Sequence, residues 1–175
     1  MITINNTIMT SAISVLLAAS VVLSSTKVFA SANDSSGKMI GSASHLTIDS
    51  IEQVMSKGPQ LVVMWSLECP ACFDELDAIA QLLKIHPNLP ITLISTDDDP
   101  SRSEEISEVY AEPAFGSISR WVYSPNQGQQ LRYAIDSTWQ GELPRSFYVD
   151  EKGKRHGHSG LLTQQQLMGI VNFLK

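Results

Sequence analysis

The chain is poor in cysteine, in basic residues and in long apolar runs. Only two cysteines occur in 175 residues, too few for a disulfide framework. A domain of this length buries a core without staples, so Cys69 and Cys72 are free to do chemistry. Lys and Arg number 12 against 18 Asp and Glu, for a formal net charge of −6, and they form no basic cluster. That balance argues against nucleic acid and anionic membrane surfaces as partners. The apolar stretch from Ile8 to Leu23 is short for a membrane span and is interrupted by Thr10, Ser11, Ser14 and Ser20.

That stretch runs into Val28-Phe29-Ala30, with a small residue where a signal peptidase would cut. Residues 1–30 therefore read as a signal peptide, although the usual positive n-region is missing and Lys27 lies beyond the apolar run. The alternative is an uncleaved membrane anchor; no cysteine near residue 30 offers a lipid attachment point. Export implies a periplasmic or otherwise extracytoplasmic location, where a vicinal cysteine pair can cycle through a disulfide and needs a dedicated reducing partner. Cleavage removes one Lys and no acid and moves the formal charge from −6 to −7, leaving one domain's worth of chain. Residues 31–44, rich in Ser, Ala and Gly, read as a flexible leader, and residues 45–175 as the folded domain.

His45 to Ile48 reads as a short strand, with Asp49 capping a helix whose apolar positions are Ile51, Val54 and Met55, stopped by Gly58-Pro59. Leu61-Val62-Val63-Met64-Trp65 is apolar without alternation, as a strand buried on both faces requires. From Cys69 to Ile85 the residues Phe73, Leu76, Ile79, Ala80, Leu82 and Leu83 recur with helical period. Ile91 to Ser95 is a second buried strand leading into Asp97-Asp98-Asp99-Pro100, after which Ser101 or Ser103 opens a helix. Ile118 to Tyr123 reads as a strand, Ser124 to Gly128 as a turn and Leu131 to Trp139 as a short helix or loop. Ser146 to Asp150 and Arg155 to His158 form a hairpin around Glu151-Lys152-Gly153-Lys154, and a last helix follows Thr163, an N-cap with Gln166 three residues on. No internal repeat is present, and the element order is that of an α/β sandwich.

Cys69 and Cys72 enclose Pro70-Ala71 where the buried strand gives way to the helix. A thiol attacks a disulfide as thiolate, and a cysteine in a helix's first turn is helped to ionise by unpaired backbone N–H groups and the helix dipole. Pro70 is tolerated there because its missing N–H would have had no partner. Cys69 is thus the candidate nucleophile, and Cys72, three residues beyond, the thiol that resolves a mixed disulfide. A CxxC is also half of a zinc site, and His156 and His158, two apart on a strand, share a side. A copper or zinc module built from both pairs is therefore the rival reading, although exposed histidines are the plainer expectation.

The segment Trp65-Ser66-Leu67-Glu68-Cys69-Pro70-Ala71-Cys72-Phe73-Asp74-Glu75-Leu76 resembles the active-site segment of the TlpA/ResA-like thiol–disulfide oxidoreductase family of the thioredoxin superfamily. Glu142-Leu143-Pro144-Arg145-Ser146-Phe147-Tyr148-Val149-Asp150, followed by Gly153 and a closing helix, resembles that family's cis-proline loop and C-terminal end. The resemblance implies a thioredoxin-like three-layer α/β/α sandwich with a mixed central sheet. It also implies a cis peptide before Pro144, with Leu143 pairing an extended substrate segment; an ordinary trans proline on an edge strand is the alternative. Glu75 is implied as a proton acceptor or modulator near the thiols, against the plainer reading of an exposed first-turn acid.

Two positions depart from the family. Val63 stands where thioredoxin itself carries a buried acid, and Glu68 stands where many relatives have Trp, so that a negative charge opposes ionisation of Cys69. Arg145 would offset Glu68 if it pointed toward it, but an exposed Arg is the expectation. His45 and His86 are expected to face solvent, and Asp97 to Asp99 to form a solvated loop rather than a calcium or magnesium site. Trp65 is expected to pack against the active-site helix; Trp121, Tyr123 and Trp139 are core residues or a substrate-docking rim.

The resulting expectation is an extracytoplasmic reductase of client protein disulfides, re-reduced by a membrane dithiol electron donor. It would be a monomer with no cofactor, no metal and no nucleic-acid partner. An oxidase or isomerase on the same fold, or a chaperone that uses only the proline loop, are the nearby variants.

Overall fold

A computed structural model describes residues 43–175. The signal-peptide reading of residues 1–30, and the leader up to residue 42, lie outside the described residues. The chain runs β1 (Ser44–Leu46), a 3-10 turn (Ile48–Ser50), α1 (Ile51–Met55), β2 (Gln60–Trp65), α2 (Pro70–Ile85) and β3 (Ile91–Ser95). A 3-10 turn (Pro100–Arg102), α3 (Ser103–Tyr110), another 3-10 turn (Pro113–Ser117), β4 (Ser119–Tyr123), α4 (Gly128–Ile135), β5 (Arg145–Val149), β6 (Arg155–Ser159) and α5 (Gln164–Leu174) complete it. Among the described residues no helix is long and apolar enough to cross a membrane.

The six strands form one sheet in the order β1-β4-β3-β2-β5-β6. The first four lie parallel to their neighbours, while β5 is antiparallel to β2 and β6 to β5. This is the mixed α/β sandwich expected. All six residues of β2 are buried, which is why the run lacks alternation: Leu61, Val63 and Trp65 pack with α2, α3 and α5, whereas Val62 and Met64 pack with α1 and α4. Each such aliphatic side chain, fully buried, contributes about 1.5–3 kcal/mol.

The structure corrects several boundaries. Ala43 is buried and Ser44 begins β1, so the sheet starts within what composition assigned to the leader. Ile48 and Asp49 lie in a 3-10 turn capped by Thr47, whose hydroxyl accepts from Ser50 N–H (3.3 Å), and Asp49 caps nothing. Asp99 caps the Pro100–Arg102 turn by accepting from Ser101 N–H (2.9 Å), and α3 follows without a side-chain cap. At the C-terminal helix, the Thr163 and Gln166 capping box forms as read.

Gly58-Pro59 ends α1 with a cis peptide and brings the chain against the β5–β6 turn. A Cβ on Gly58 would land on the Asp150 carbonyl oxygen, whereas one on Gly116 would meet nothing within 4 Å. Gly58→Ala is therefore expected to cost about 1–3 kcal/mol through forced backbone displacement, and Gly116→Ala less than about 0.5 kcal/mol. Urea unfolding of the two variants checks this; equal stabilities would show that the turn yields freely.

Candidate functional site

β2 ends in the turn Ser66-Leu67-Glu68, and α2 opens with Cys69 as its N-cap and Pro70 in its first turn. Cys69 N–H donates to the Ser66 carbonyl (3.1 Å), which fixes the turn. Cys69 and Cys72 are joined in a disulfide with a Cα–Cα distance of 5.3 Å. Their settings differ: Cys69 is half-buried, while Cys72 has no exposed surface. The Cys72 N–H, shared with the Cys69 carbonyl (3.0 Å), also donates to Cys69 Sγ (3.1 Å), so a first-turn donor of the helix points at the outer sulfur. That donor and the helix dipole favour negative charge on the Cys69 sulfur.

Glu75, one turn beyond Cys72, is only 2 % exposed, which rules out the exposed first-turn acid. Its Oε1 accepts from Ser146 Oγ (2.8 Å) and its Oε2 from Leu162 N–H (2.9 Å). Ser146 is the cross-strand partner of Val63. The site thus has its buried carboxylate delivered from α2, hydrogen-bonded to the residue opposite the strand position that lacks one. The sequence signal was the inward helical spacing of Cys72, Glu75, Leu76 and Ile79, all of which are buried.

The peptide between Leu143 and Pro144 is cis, and Pro144 is buried. Leu143 and Cys69 pack, each partly buried, against the same apolar cluster. The Trp139 indole N–H donates to the Glu142 carbonyl (2.9 Å), and Gly160 N–H to the Pro144 carbonyl (2.9 Å), so the loop is tied on both sides.

Beneath the helix, Trp65 is buried and meets Phe73 edge-on at 6.3 Å and Tyr110 at 5.4 Å. The Tyr110 hydroxyl accepts from Trp65 Nε1 (3.1 Å) and from Ser95 N–H (3.0 Å), and donates to the Trp121 carbonyl (2.6 Å). Burial pushes the Tyr110 hydroxyl well above its ordinary value, so it stays neutral and can serve in both senses. Tyr123 and Trp139 are core residues, and Trp121 is half-buried against the same cluster.

Asp97 to Asp99 lie in the loop expected, but only Asp99 is exposed; Asp97 and Asp98 are half-buried. Asp97 accepts from Ser66 Oγ (2.9 Å), Leu67 N–H (3.0 Å) and Ser95 Oγ (2.7 Å), strapping the turn before Cys69 to the end of β3. Asp98 accepts from Gly128 N–H (3.0 Å) and Asp99 caps the next turn, so the three carboxylates hold three different segments. Register carried the missed signal: Trp65 pairs with Ser95 in parallel strands, which sets residues 66–67 beside 96–97.

Arg145 is neither exposed nor turned toward Glu68. Its side chain is 12 % exposed; it donates to Asp136 (2.7 Å) and Ser159 Oγ (2.6 Å) and lies 4.9 Å from the Phe147 ring centre. Strand alternation puts Arg145 on the face of Phe147 and Val149, which is opposite α2. Glu68 pairs instead with Arg102 at 2.7 Å, a contact across 34 positions that no local pattern announces.

His156 Nε2 lies 3.2 Å from Asp150 Oδ2, and His158 Nε2 lies 3.4 Å from the Leu161 carbonyl. Both edge a cavity of about 400 Å³ between the β5–β6 hairpin and α5, with Tyr148, Ile170 and Phe173 in its walls. Among the described residues no three His, Cys, Asp or Glu side chains come together as a metal site, so the two histidines and two cysteines do not converge. His45, expected to face solvent, is half-buried in β1 with Nδ1 sealed and unpartnered.

No family model and no curated protein matches the chain. Solved structures do. DsbF of Mycobacterium tuberculosis is 19 % identical with a TM-score of 0.52, over 71 % of this chain and 85 % of that one. A secreted disulfide oxidoreductase of M. tuberculosis homologous to E. coli DsbE is 15 % identical with a TM-score of 0.52, over 69 % and 84 %. The thioredoxin domain of a thiol–disulfide oxidoreductase from Bacteroides vulgatus is 15 % identical with a TM-score of 0.51, over 71 % and 84 %. The resemblance carried by residues 65–76 and 142–150 fits these neighbours, and the chain has their thioredoxin-like fold.

Proposed function

We propose that the protein is an extracytoplasmic thiol–disulfide oxidoreductase that reduces disulfides in client proteins. The observation that carries this reading is the unequal burial of a bonded pair at a helix start: Cys69 half-buried with a donor on its sulfur, Cys72 sealed behind it. In the reduced protein, Cys69 thiolate attacks one sulfur of a client disulfide. An S–S bond to the client forms as the client's own S–S bond breaks, and one client thiolate leaves. Cys72, losing its proton, then attacks the Cys69 sulfur, which closes the Cys69–Cys72 disulfide and frees the second client thiolate. Two electrons pass to the client, and a membrane dithiol donor returns them.

In this reading Glu75, buried one turn beyond Cys72, takes the Cys72 proton, and Leu143, before the cis-proline, pairs with the client backbone. Location outside the cytoplasm is supported by the Ile8 to Ala30 pattern and by the description of one structural neighbour as secreted. The direction of transfer is supported by the resemblance of residues 65–76.

Equilibration against dithiol and glutathione buffers, with free thiols counted, tests the direction. A Cys69/Cys72 potential below about −220 mV is expected of a reductase; one near about −120 mV would make the protein an oxidant. If the pair forms no reversible disulfide, the oxidoreductase reading fails altogether. Glu75→Gln is expected to slow the Cys72 step by about 10²-fold or more, the usual worth of a placed general base, so that the Cys69–client mixed disulfide accumulates and is seen by intact mass. Unchanged decay of that adduct would remove Glu75 from the mechanism.

A further inference from the structure

Glu68 immediately precedes the nucleophile, and its side chain is 76 % exposed. A free carboxylate there would oppose negative charge on Cys69 Sγ, against the helix terminus that favours it. The structure does not leave it free. Arg102 Nη1 lies 2.7 Å from Glu68 Oε1, while Arg102 Nη2 lies 2.9 Å from Glu105 Oε2 and Nε holds the other oxygen of the same carboxylate. The two-point grip on Glu105 fixes the plane of the guanidinium, and the remaining nitrogen is thereby aimed at residue 68. Glu105 is itself held below the ordinary carboxylate range, first of all by that hydrogen bond.

The other ionisable groups around the turn have partners of their own. Asp97 serves Ser66, Leu67 and Ser95; Glu75 serves Ser146 and Leu162. On the proline-loop side Glu142 accepts from Ser159, and Arg145 is paired with Asp136. Asp74, on α2, is exposed. Arg102 is therefore the cation that meets the carboxylate next to the nucleophile.

We propose that Arg102 is a positioning residue for the Cys69 thiolate: by drawing Glu68 into an ion pair on the α3 side, it leaves the N-terminus of α2 to set the electrostatic environment of the sulfur. The proposal rests on the thiol–disulfide reading of Cys69. Because both partners reach solvent, the effect is modest and is screened by salt.

The test is the rate at which iodoacetamide alkylates Cys69 in the reduced full chain near neutral pH, at low and at high ionic strength, with reversible closure of the disulfide followed alongside. Arg102→Gln is expected to slow alkylation by about 2- to 5-fold at low salt, the range open to an exposed ion pair, and by less at high salt. In a Glu68→Gln background, where no carboxylate remains to be paired, the same change is expected to have no effect. Equal rates for wild type and Arg102→Gln at low salt would overturn the proposal. So would an equal slowing in both backgrounds, which would mean that Arg102 merely props α3. A wild-type pair that never closes reversibly is a separate result: it would sink the oxidoreductase reading itself rather than the role of Arg102 within it.

Discussion

Everything at the active end of the molecule depends on β2 being enclosed on four sides. Strands β3 and β5 take its two hydrogen-bonding edges, and helices cover both of its faces. A strand so enclosed cannot shift by one residue without turning Leu61, Val63 and Trp65 to the wrong face. Its C-terminal end is therefore a fixed point, and the turn that launches α2 starts from it. Asp97 then ties that turn to β3 and Tyr110 holds Trp65 beneath it, so Cys69 inherits its place from the sheet rather than from the loop that contains it.

The thiol pair is built into three layers of support. The helix start supplies a donor to the outer sulfur. The proline loop, tied by Trp139 and Gly160, packs through Leu143 against the same apolar cluster as Cys69. Glu75 connects α2 to β5 through Ser146 and to the segment before α5 through Leu162. A carboxylate with both oxygens engaged in this way is costly to displace, because its donors would be left buried and unpaired.

What could be read from the sequence was whatever depends on long apolar runs and local caps. The two buried strands, α2 and the capped α5 all announce themselves, because each buries enough side chains to show its period. The middle of the chain announces less: Ile118 to Tyr123 reads as the strand that β4 is, but α4 buries only Leu131 and Ile135, too few positions to establish a period, and runs Gly128–Ile135 rather than from Leu131 to Trp139. The misreadings at the site share another cause. Asp97 looked solvated because composition treats a run of acids as surface, whereas strand register had already placed it beside residues 66–67. Arg145 looked exposed by residue type, although alternation with Phe147 and Val149 assigns it a face. The Glu68–Arg102 pair joins two distant turns, and only the assembled fold brings them together.

The tyrosine beneath the active-site helix has one more consequence. Burial holds both Tyr110 and Tyr123 in their neutral forms well past the ordinary phenol value, while in the unfolded chain they ionise near about pH 10. Above that pH the unfolded state sheds protons that the folded state keeps, so stability falls as pH rises further. Strongly alkaline conditions thus begin to loosen the floor on which the cysteines stand. The alkaline limit of the fold beneath the thiols is therefore set in part by buried tyrosine.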